Sequence, residues 1–394
     1  MHIGMGVGSI ASRLAVAREF CTGCGACASS CSRGGLSLVP DGAGFLYPRL
    51  DETKCIGCGT CLERCPLEPL RPRNREVTCF SARTFDETVL MASSSGGVFT
   101  ELARPVLANG GCVFGCAMVG SRDELSARHV KVDSVSGLAA LRGSKYLQST
   151  LGDTFRDCKS ELEEGRSVLF SGTPCQIAGL RAYLGRVPEN LLTVAVICNG
   201  VPSPMVFEKR KREVARRIGG MPTSVAFREK RDGWMGYSVV WRNADSASEF
   251  ARKSGKSYLR DFDLMLRNCC YDCRFRDGRS GADVLIGDFW GMRKLYPERY
   301  DEKGWSVVLA YSPRGLRAVR TAAIERFEIP FADAVVQNPR IVLDSRKKAS
   351  CARYLKNAGC YPLSLARRLS AHRSRLRCAL ASLRDFVGTI LGVF

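Results

Sequence analysis

At 394 residues the chain has room for two or three folded units of about 150 residues each, and 45% apolar with 25% charged residues excludes wholesale disorder, collagen-like repeats and coiled-coil rods. Its 20 cysteines are exceptional; because Arg13 and Arg18 interrupt any signal-peptide core, a reducing cytoplasm is expected, where clustered thiolates are metal or iron–sulfur ligands rather than disulfides. The net charge of +20 favours acidic partners, and half of it lies in residues 340–394, where twelve Lys and Arg face only Asp344 and Asp385.

No apolar run approaches the roughly 18 residues of a membrane span, so a soluble protein is expected. Three histidines, His2, His129 and His372, leave little for histidine metal sites or Ser-His-Asp catalysis. Residues 1–14 read as an N-terminal extension. Its Gly4-Met-Gly-Val-Gly8 is discarded as a dinucleotide loop, since no strand precedes it and Ser9 replaces the last glycine.

Residues 15–70 hold an internal repeat, in which Cys21, Cys24, Cys27 and Cys31 form a C-x2-C-x2-C-x3-C run that recurs 34 residues later as Cys55, Cys58, Cys61 and Cys65. Each such run supplies three thiolates to one [4Fe–4S] cube and the fourth to the other. Cys21, Cys24, Cys27 and Cys65 are thus predicted on one cluster, with Cys55, Cys58, Cys61 and Cys31 on the second. Structural zinc, which wants paired ligands, is the alternative. Ser32 stands where a proline usually follows the run. Between the runs, Leu36–Pro40 and Phe45–Pro48 are predicted as short strands around a glycine turn. A linker over 71–77, inside the Pro- and Arg-rich stretch from Pro69 to Arg75, follows.

From 78 to 340, in parts 78–155 and 160–340, apolar strands alternate with amphipathic segments, the pattern of an α/β domain. Three strands run into functional groups: Ser167–Phe170 into Cys175, Leu191–Ile197 into Cys198, and Ala282–Ile286 into Asp288. Such groups gather beyond the carboxyl ends of strands in open α/β sheets, so these are expected at one edge. With Cys270 and Cys273 they offer thiolates for a third cluster, although each cysteine alone reads equally as a small buried hydrophobe, and Cys269 adds an ambiguous neighbour. Cys112 and Cys116 read as core; Cys79, Cys158, Cys351, Cys360 and Cys378 lack ligand spacing; Trp234 and Tyr237 read as packing. The basic tail, 341–394, spaces Leu365, Leu369, Leu376, Leu380 and Leu383 as a helix that packs on its own protein or a partner, with anionic membrane as the runner-up and nucleic acid unsupported.

Residues 78–339 resemble the FAD-containing beta subunit of coenzyme F420-reducing hydrogenase and its dehydrogenase relatives. The resemblance rests on Ser93-Ser-Ser-Gly-Gly97, Gly143-Ser-Lys-Tyr146, Phe170-Ser-Gly-Thr-Pro-Cys-Gln176, Cys198-Asn-Gly-Val-Pro-Ser-Pro204, Phe227-Arg-Glu-Lys230 with Gly233-Trp234, and Cys270-Tyr-Asp-Cys273 leading to Gly287-Asp-Phe-Trp-Gly291. It implies a third cluster on Cys175, Cys198, Cys270 and Cys273, and an FAD contacting Ser94, Ser95, Gly96, Gly97, Gly143, Ser144, Lys145 and Tyr146. A serine-glycine turn at a helix N-terminus offers a pyrophosphate cradle, and on residues alone it is equally a plain helix cap. The fold class expected is a bacterial-type dicluster ferredoxin domain, α+β, followed by an α/β flavin- and cluster-binding domain. The function implied is an iron–sulfur flavoprotein oxidoreductase, with hydride transfer to or from coenzyme F420 or a similar acceptor and a ferredoxin-like or enzyme partner for electrons. A flavin reductase of another substrate, and a non-catalytic electron-transfer subunit, are the alternatives.

Overall fold

The computed structural model describes residues 6–69, 71–72, 76–120, 124–243, 249–253 and 258–371. In the N-terminal unit, strands β1 (Leu36–Pro40) and β2 (Leu46–Leu50) pair antiparallel, Leu36 opposite Leu50. The turn between them is set by the Asp41 carboxylate, which accepts from the amides of Ala43 and Phe45 at 2.9 Å each. Both cysteine runs wind into single helical turns, Ala26–Ser29 and Thr60–Glu63. The repeat is visible in the backbone: Gly25 and Gly59 both cap these turns at φ +78°, and Gly23 and Gly57 lie at +68° and +70°. Only glycine takes that conformation without strain, which explains the Gly residues of each run.

Within the N-terminal extension, residues 7–17 are helical, which patterning did not signal. Ile10 is buried against Leu36 and Cys61, with Leu14 packed beside them, so this helix roofs the cysteine runs.

The larger unit is built on eight strands: β3 (Thr78–Thr84), β4 (Cys112–Gly120), β5 (Leu125–Val132), β6 (Val168–Gly172), β7 (Leu191–Val196), β11 (Val284–Asp288), β12 (Ser306–Ala310) and β13 (Ile324–Glu328). Their order is β13-β3-β12-β11-β7-β6-β4-β5. The four central strands, β11, β7, β6 and β4, are parallel, and antiparallel strands flank them on both sides. Parallel strands must be covered on both faces. Helices Thr154–Glu163 and Pro174–Leu184 cover one with Phe155, Leu162, Ile177 and Leu180; helices Val98–Ala108 and Pro313–Thr321 cover the other with Val98, Leu102 and Val319.

A separate antiparallel sheet, β8 (Ser224–Glu229), β9 (Ser238–Arg242) and β10 (Glu249–Lys253), lies against helix Pro204–Ile218 through Phe207, Val214, Phe227 and Trp241. As the sequence indicates, Ser203 caps that helix, accepting from the Val206 amide, with Pro204 in its first turn. The basic tail begins as helical residues 363–371, but Leu363 and Ala366 are its buried side chains, while Leu365 and Leu369 are about 40% exposed. The expected leucine face is thus displaced, because Arg367 turns inward to pair with buried Asp261. Leu376, Leu380 and Leu383 lie outside the described residues. Among those described, no helix is long and apolar enough to cross a membrane.

The two units share a core. Ala26 of the first cysteine run is fully buried in the cluster that holds Phe155, Ile177 and Leu180. The hairpin tip docks on the Pro204–Ile218 helix, where the Ala43 carbonyl accepts from Ser203 Oγ at 2.6 Å and from the Met205 amide at 3.2 Å.

Candidate functional site

Cys21, Cys24, Cys27 and Cys65 line one cavity of about 50 Å³, which Cys61 also reaches. Burial pushes the Cys27 thiol up to about 12, with Cys21, Cys65 and Cys61 adding to the shift in that order. Cys61 is raised by burial and then by Cys58, Cys31 and Cys55, so the second crossed set also gathers in space. The Gly35 amide donates to Cys31 Sγ at 3.2 Å, the kind of contact that steadies a cluster-bound sulfur. All cysteines among the described residues are free.

The third group forms at the carboxyl edge of the parallel strands. β6 and β7 run side by side, which brings Cys175, in the first turn of helix Pro174–Leu184, close to Cys198, two residues past β7. A short 3-10 turn, Asn268–Tyr271, delivers Cys270, and Cys273 follows. Burial raises Cys175, Cys198 and Cys273 to about 12 each; Cys175 then feels Cys198 and Cys270, and Cys198 feels Cys270 and Cys273. Amides of Gly200 and Val201 donate to Cys198 Sγ and Cys270 Sγ at 3.4 Å each, and Thr173 Oγ1 sits 3.2 Å from Cys175 Sγ. Cys269 is buried, hydrogen-bonded to Cys270, and its other electrostatic neighbour is Tyr47 of the N-terminal unit.

Two buried arginines flank these thiols and were missed in the sequence, where each is one Arg among many. Arg267 donates from Nε to the Cys21 carbonyl at 2.7 Å and from Nη2 to the Leu46 carbonyl at 2.8 Å. Arg276 donates from Nη1 to the Cys198 carbonyl at 2.8 Å and from Nε to Asp344 at 3.1 Å, and Asp344 also accepts from the Cys273 amide. Four buried thiols, sulfur-directed amides and adjacent cations form a set suited to thiolates that bind metal. The spacing is that of a larger body: among the described residues no three His, Cys, Asp or Glu side chains converge on a single-ion site, and a cube spreads its ligands over four irons.

The groups also touch one another. Cys27 interacts with Cys61, and Cys24 with Cys175, so the order in space is second run, first run, strand-end group. Cys24 lies against Gly179, where an added Cβ would fall 2.9 Å from its Sγ and 3.0 Å from its Cβ. Gly179→Ala is therefore expected to push the first run out of place, reducing iron by about four atoms per chain or altering the low-temperature EPR of one cluster. Iron analysis and EPR identical to wild type would show that the helix yields instead.

From Cys175 a polar chain leads toward the resemblance-implied flavin residues. Thr173 and Gln176 form a capping pair, Gln176 Nε2 donates to Ser149 Oγ at 2.8 Å, and Ser149 hydrogen-bonds Cys116, which lies beside Lys145. The serine turn meets the Gly143 segment directly, Ser94 Oγ accepting from the Ser144 amide at 2.8 Å. Tyr146 is buried, hydrogen-bonded to Ser144, and feels Arg228, Tyr237 and Asp288. Ser94, Ser144, Tyr146 and Asp288 are thus brought together. Ser95 Oγ instead pairs with Ser306 Oγ at 2.9 Å. Glycine at 96 and 97 is required by packing, since a Cβ there would fall 2.4 Å from the Ala82 carbonyl and 2.7 Å from Thr84 Cγ2; Gly143, at φ +80°, borders open space. The Lys145 ammonium is not held over the turn as expected: it donates to the carbonyls of Ala140, Leu141 and Arg142, and burial lowers it to about 8. Its reach is taken by the exposed end of helix Leu138–Leu141, whose carbonyls need a donor.

Charge at this end comes from Arg228 and Lys230, which also escaped selection from the sequence. Arg228 lies between Tyr237 and Trp290, 4.3 and 4.7 Å from the ring centroids, and pairs with Asp288. Its Nε and Nη2 are buried with no hydrogen-bond partner among the described residues. Trp234, read as packing, is indeed fully buried, stacked on Trp290 at 5.5 Å, and it donates from Nε1 to Asp288 at 2.8 Å.

Comparison with known proteins bears on both units. Residues 20–68 match the family model for the 4Fe-4S dicluster domain, and residues 165–333 match that for the C terminus of the coenzyme F420 hydrogenase/dehydrogenase beta subunit. The chain therefore joins a 4Fe-4S dicluster domain to the C-terminal domain of the F420 hydrogenase/dehydrogenase beta-subunit family. A chain in the xenon-derivatised F420-reducing [NiFe] hydrogenase complex from Methanosarcina barkeri is similar at 17% identity and a TM-score of 0.49, covering 70% of this chain and 91% of that one. No curated protein matches. The dicluster domain supports two 4Fe-4S clusters in the N-terminal unit, and this F420 hydrogenase beta-subunit relative is an iron–sulfur electron-transfer protein of an oxidoreductase family.

Proposed function

We propose that the chain is an iron–sulfur flavoprotein oxidoreductase that passes electrons between its clusters and FAD, with hydride transfer to or from coenzyme F420 or a similar acceptor. The observation that carries this reading is the unbroken series of thiol groups, which ends at Cys175 within one polar chain of Lys145 and the Ser94–Ser144 contact. Bound clusters supply single electrons, and a bound flavin exchanges them for a hydride.

Cys21, Cys24, Cys27 and Cys65 would hold the first cluster, Cys31, Cys55, Cys58 and Cys61 the second, and Cys175, Cys198, Cys270 and Cys273 a third. Ser94, Ser95, Gly96, Gly97, Gly143, Ser144, Lys145 and Tyr146 would border the flavin, with Gly143 admitting it closely. The unpartnered nitrogens of Arg228 offer a fixed positive charge where a reduced ring gains negative charge. Electrons would be exchanged with a partner protein at the N-terminal end.

Anaerobic iron, sulfide and flavin quantitation tests the reading. About twelve irons with one FAD per chain are expected. About eight irons and no flavin after reconstitution would leave a dicluster electron carrier.

A further inference from the structure

The edge of the sheet opposite the cysteines holds a second arrangement, unconnected with the clusters or a flavin. There β11 begins and β12 ends, and between them a cavity of about 420 Å³ is lined by Arg71, Arg181, Gly281, Asp283, Tyr311 and Arg314, among others. The three arginines come from three elements: Arg71 from the linker, Arg181 from the last turn of helix Pro174–Leu184, and Arg314 from the first turn of helix Pro313–Thr321.

These cations face one another with little to offset them. The Arg181 guanidinium is lowered by burial and then by Arg71, with Arg314 adding to the effect and Asp283 opposing it. Its buried Nε has no hydrogen-bond partner among the described residues. Asp283 is the acid among the lining residues, and its oxygens are already engaged. Oδ2 accepts from the Thr193 amide at 2.9 Å and from Thr193 Oγ1 at 2.7 Å, and Oδ1 accepts from Ser312 Oγ at 2.6 Å with Arg314 Nε 3.4 Å away. Gly281, at φ +70°, makes the close approach: an added Cβ would fall 2.8 Å from Arg181 Nε and 3.3 Å from Arg71 Cδ.

We infer that this pocket is an oxyanion site that takes the phosphate group of a phosphorylated small molecule. Three guanidiniums against one carboxylate leave a local charge matching a phosphate monoester, which carries about −2 near neutral pH. Planar donors from several directions suit its oxygens better than a single lysine would. The polar lining offers no comparable match to an apolar ligand. Occupancy would tie the linker at Arg71 to the helix and sheet that carry Arg181 and Arg314.

The test is calorimetric titration and thermal unfolding of the anaerobically reconstituted full chain with inorganic phosphate and with ADP, ionic strength held constant with NaCl. Saturable binding is expected, with a raised unfolding midpoint. Arg181→Gln and Arg71→Gln should each weaken it about tenfold or more, the loss of one charge-assisted contact. Without ligand, Arg181→Gln should unfold at the wild-type midpoint or above, because it removes a cation from among like charges, and its iron content should not change. Tighter binding of ADP would assign a nucleotide as the source of the phosphate, and tighter binding of inorganic phosphate the free ion. No saturable binding of either anion, or binding that both variants retain, overturns the proposal.

Discussion

Replacing Arg267 by methionine is expected to destabilise the protein by about 3–5 kcal/mol and to make the clusters nearest it harder to reduce. The side chain is 1% exposed and joins the two units through charge-assisted bonds to the carbonyls of Cys21 and Leu46, each worth about 1.5–3 kcal/mol. Its guanidinium also covers the Tyr47 ring at 4.1 Å, so methionine would retain part of the packing but none of the charge. The same cation lowers the thiols of Cys175 and Cys270, favouring their anionic form. Removing it withdraws positive charge from between two electron sites, and their potentials should move negative. Chemical unfolding measures the first effect and an EPR-monitored redox titration the second. Arg267→Lys should keep most of the potential while recovering only part of the stability, because an ammonium cannot reach both carbonyls in a fixed fork. Unaltered potentials in the methionine variant would confine Arg267 to holding the units together.

Cys270→Ser and Cys269→Ser should differ sharply although the residues are adjacent. The first is expected to lose about four irons per chain, and the flavin signal should no longer respond to a reductant supplied at the N-terminal clusters. The second is expected to retain all irons, because Cys269 is directed to Tyr47 and reaches the group only through its hydrogen bond to Cys270. Equal iron contents in the two variants would remove the strand-end group from the proposed cluster set.

Much of this arrangement was legible because cluster ligation is written locally. Cysteine spacing and the glycines between them specify the N-terminal turns with no long-range information, and the strands ending at Cys175, Cys198 and Asp288 are short apolar runs that a parallel sheet buries on both faces. What could not be read depends on groups far apart in sequence. Arg267 and Arg228 look like surface arginines until folding buries them, and Lys145 looks like a phosphate ligand until the carbonyls of a neighbouring helix end claim it. Helix Val7–Ala17 escaped notice because its apolar side is short and its partner surface is the cysteine unit itself. The mixed directions of the outer strands, likewise, follow from chain crossings that alternation does not encode.

The burial of Ala26 in the larger unit's core has a mechanical consequence. A carrier hung on a loose tether can collect charge in one place and swing to discharge it in another, but a carrier whose ligand loop is part of its neighbour's interior cannot travel. This chain is a fixed conduit, and whatever charges it must come to its outer terminal. That terminal is identifiable: Cys58 is solvent-exposed and the adjacent Ile56 is 61% exposed, whereas Cys24, at the inner end, is sealed against Gly179. Throughput is then governed by how often a visitor seats itself over Ile56 and Cys58, and not by any swing of the unit behind them.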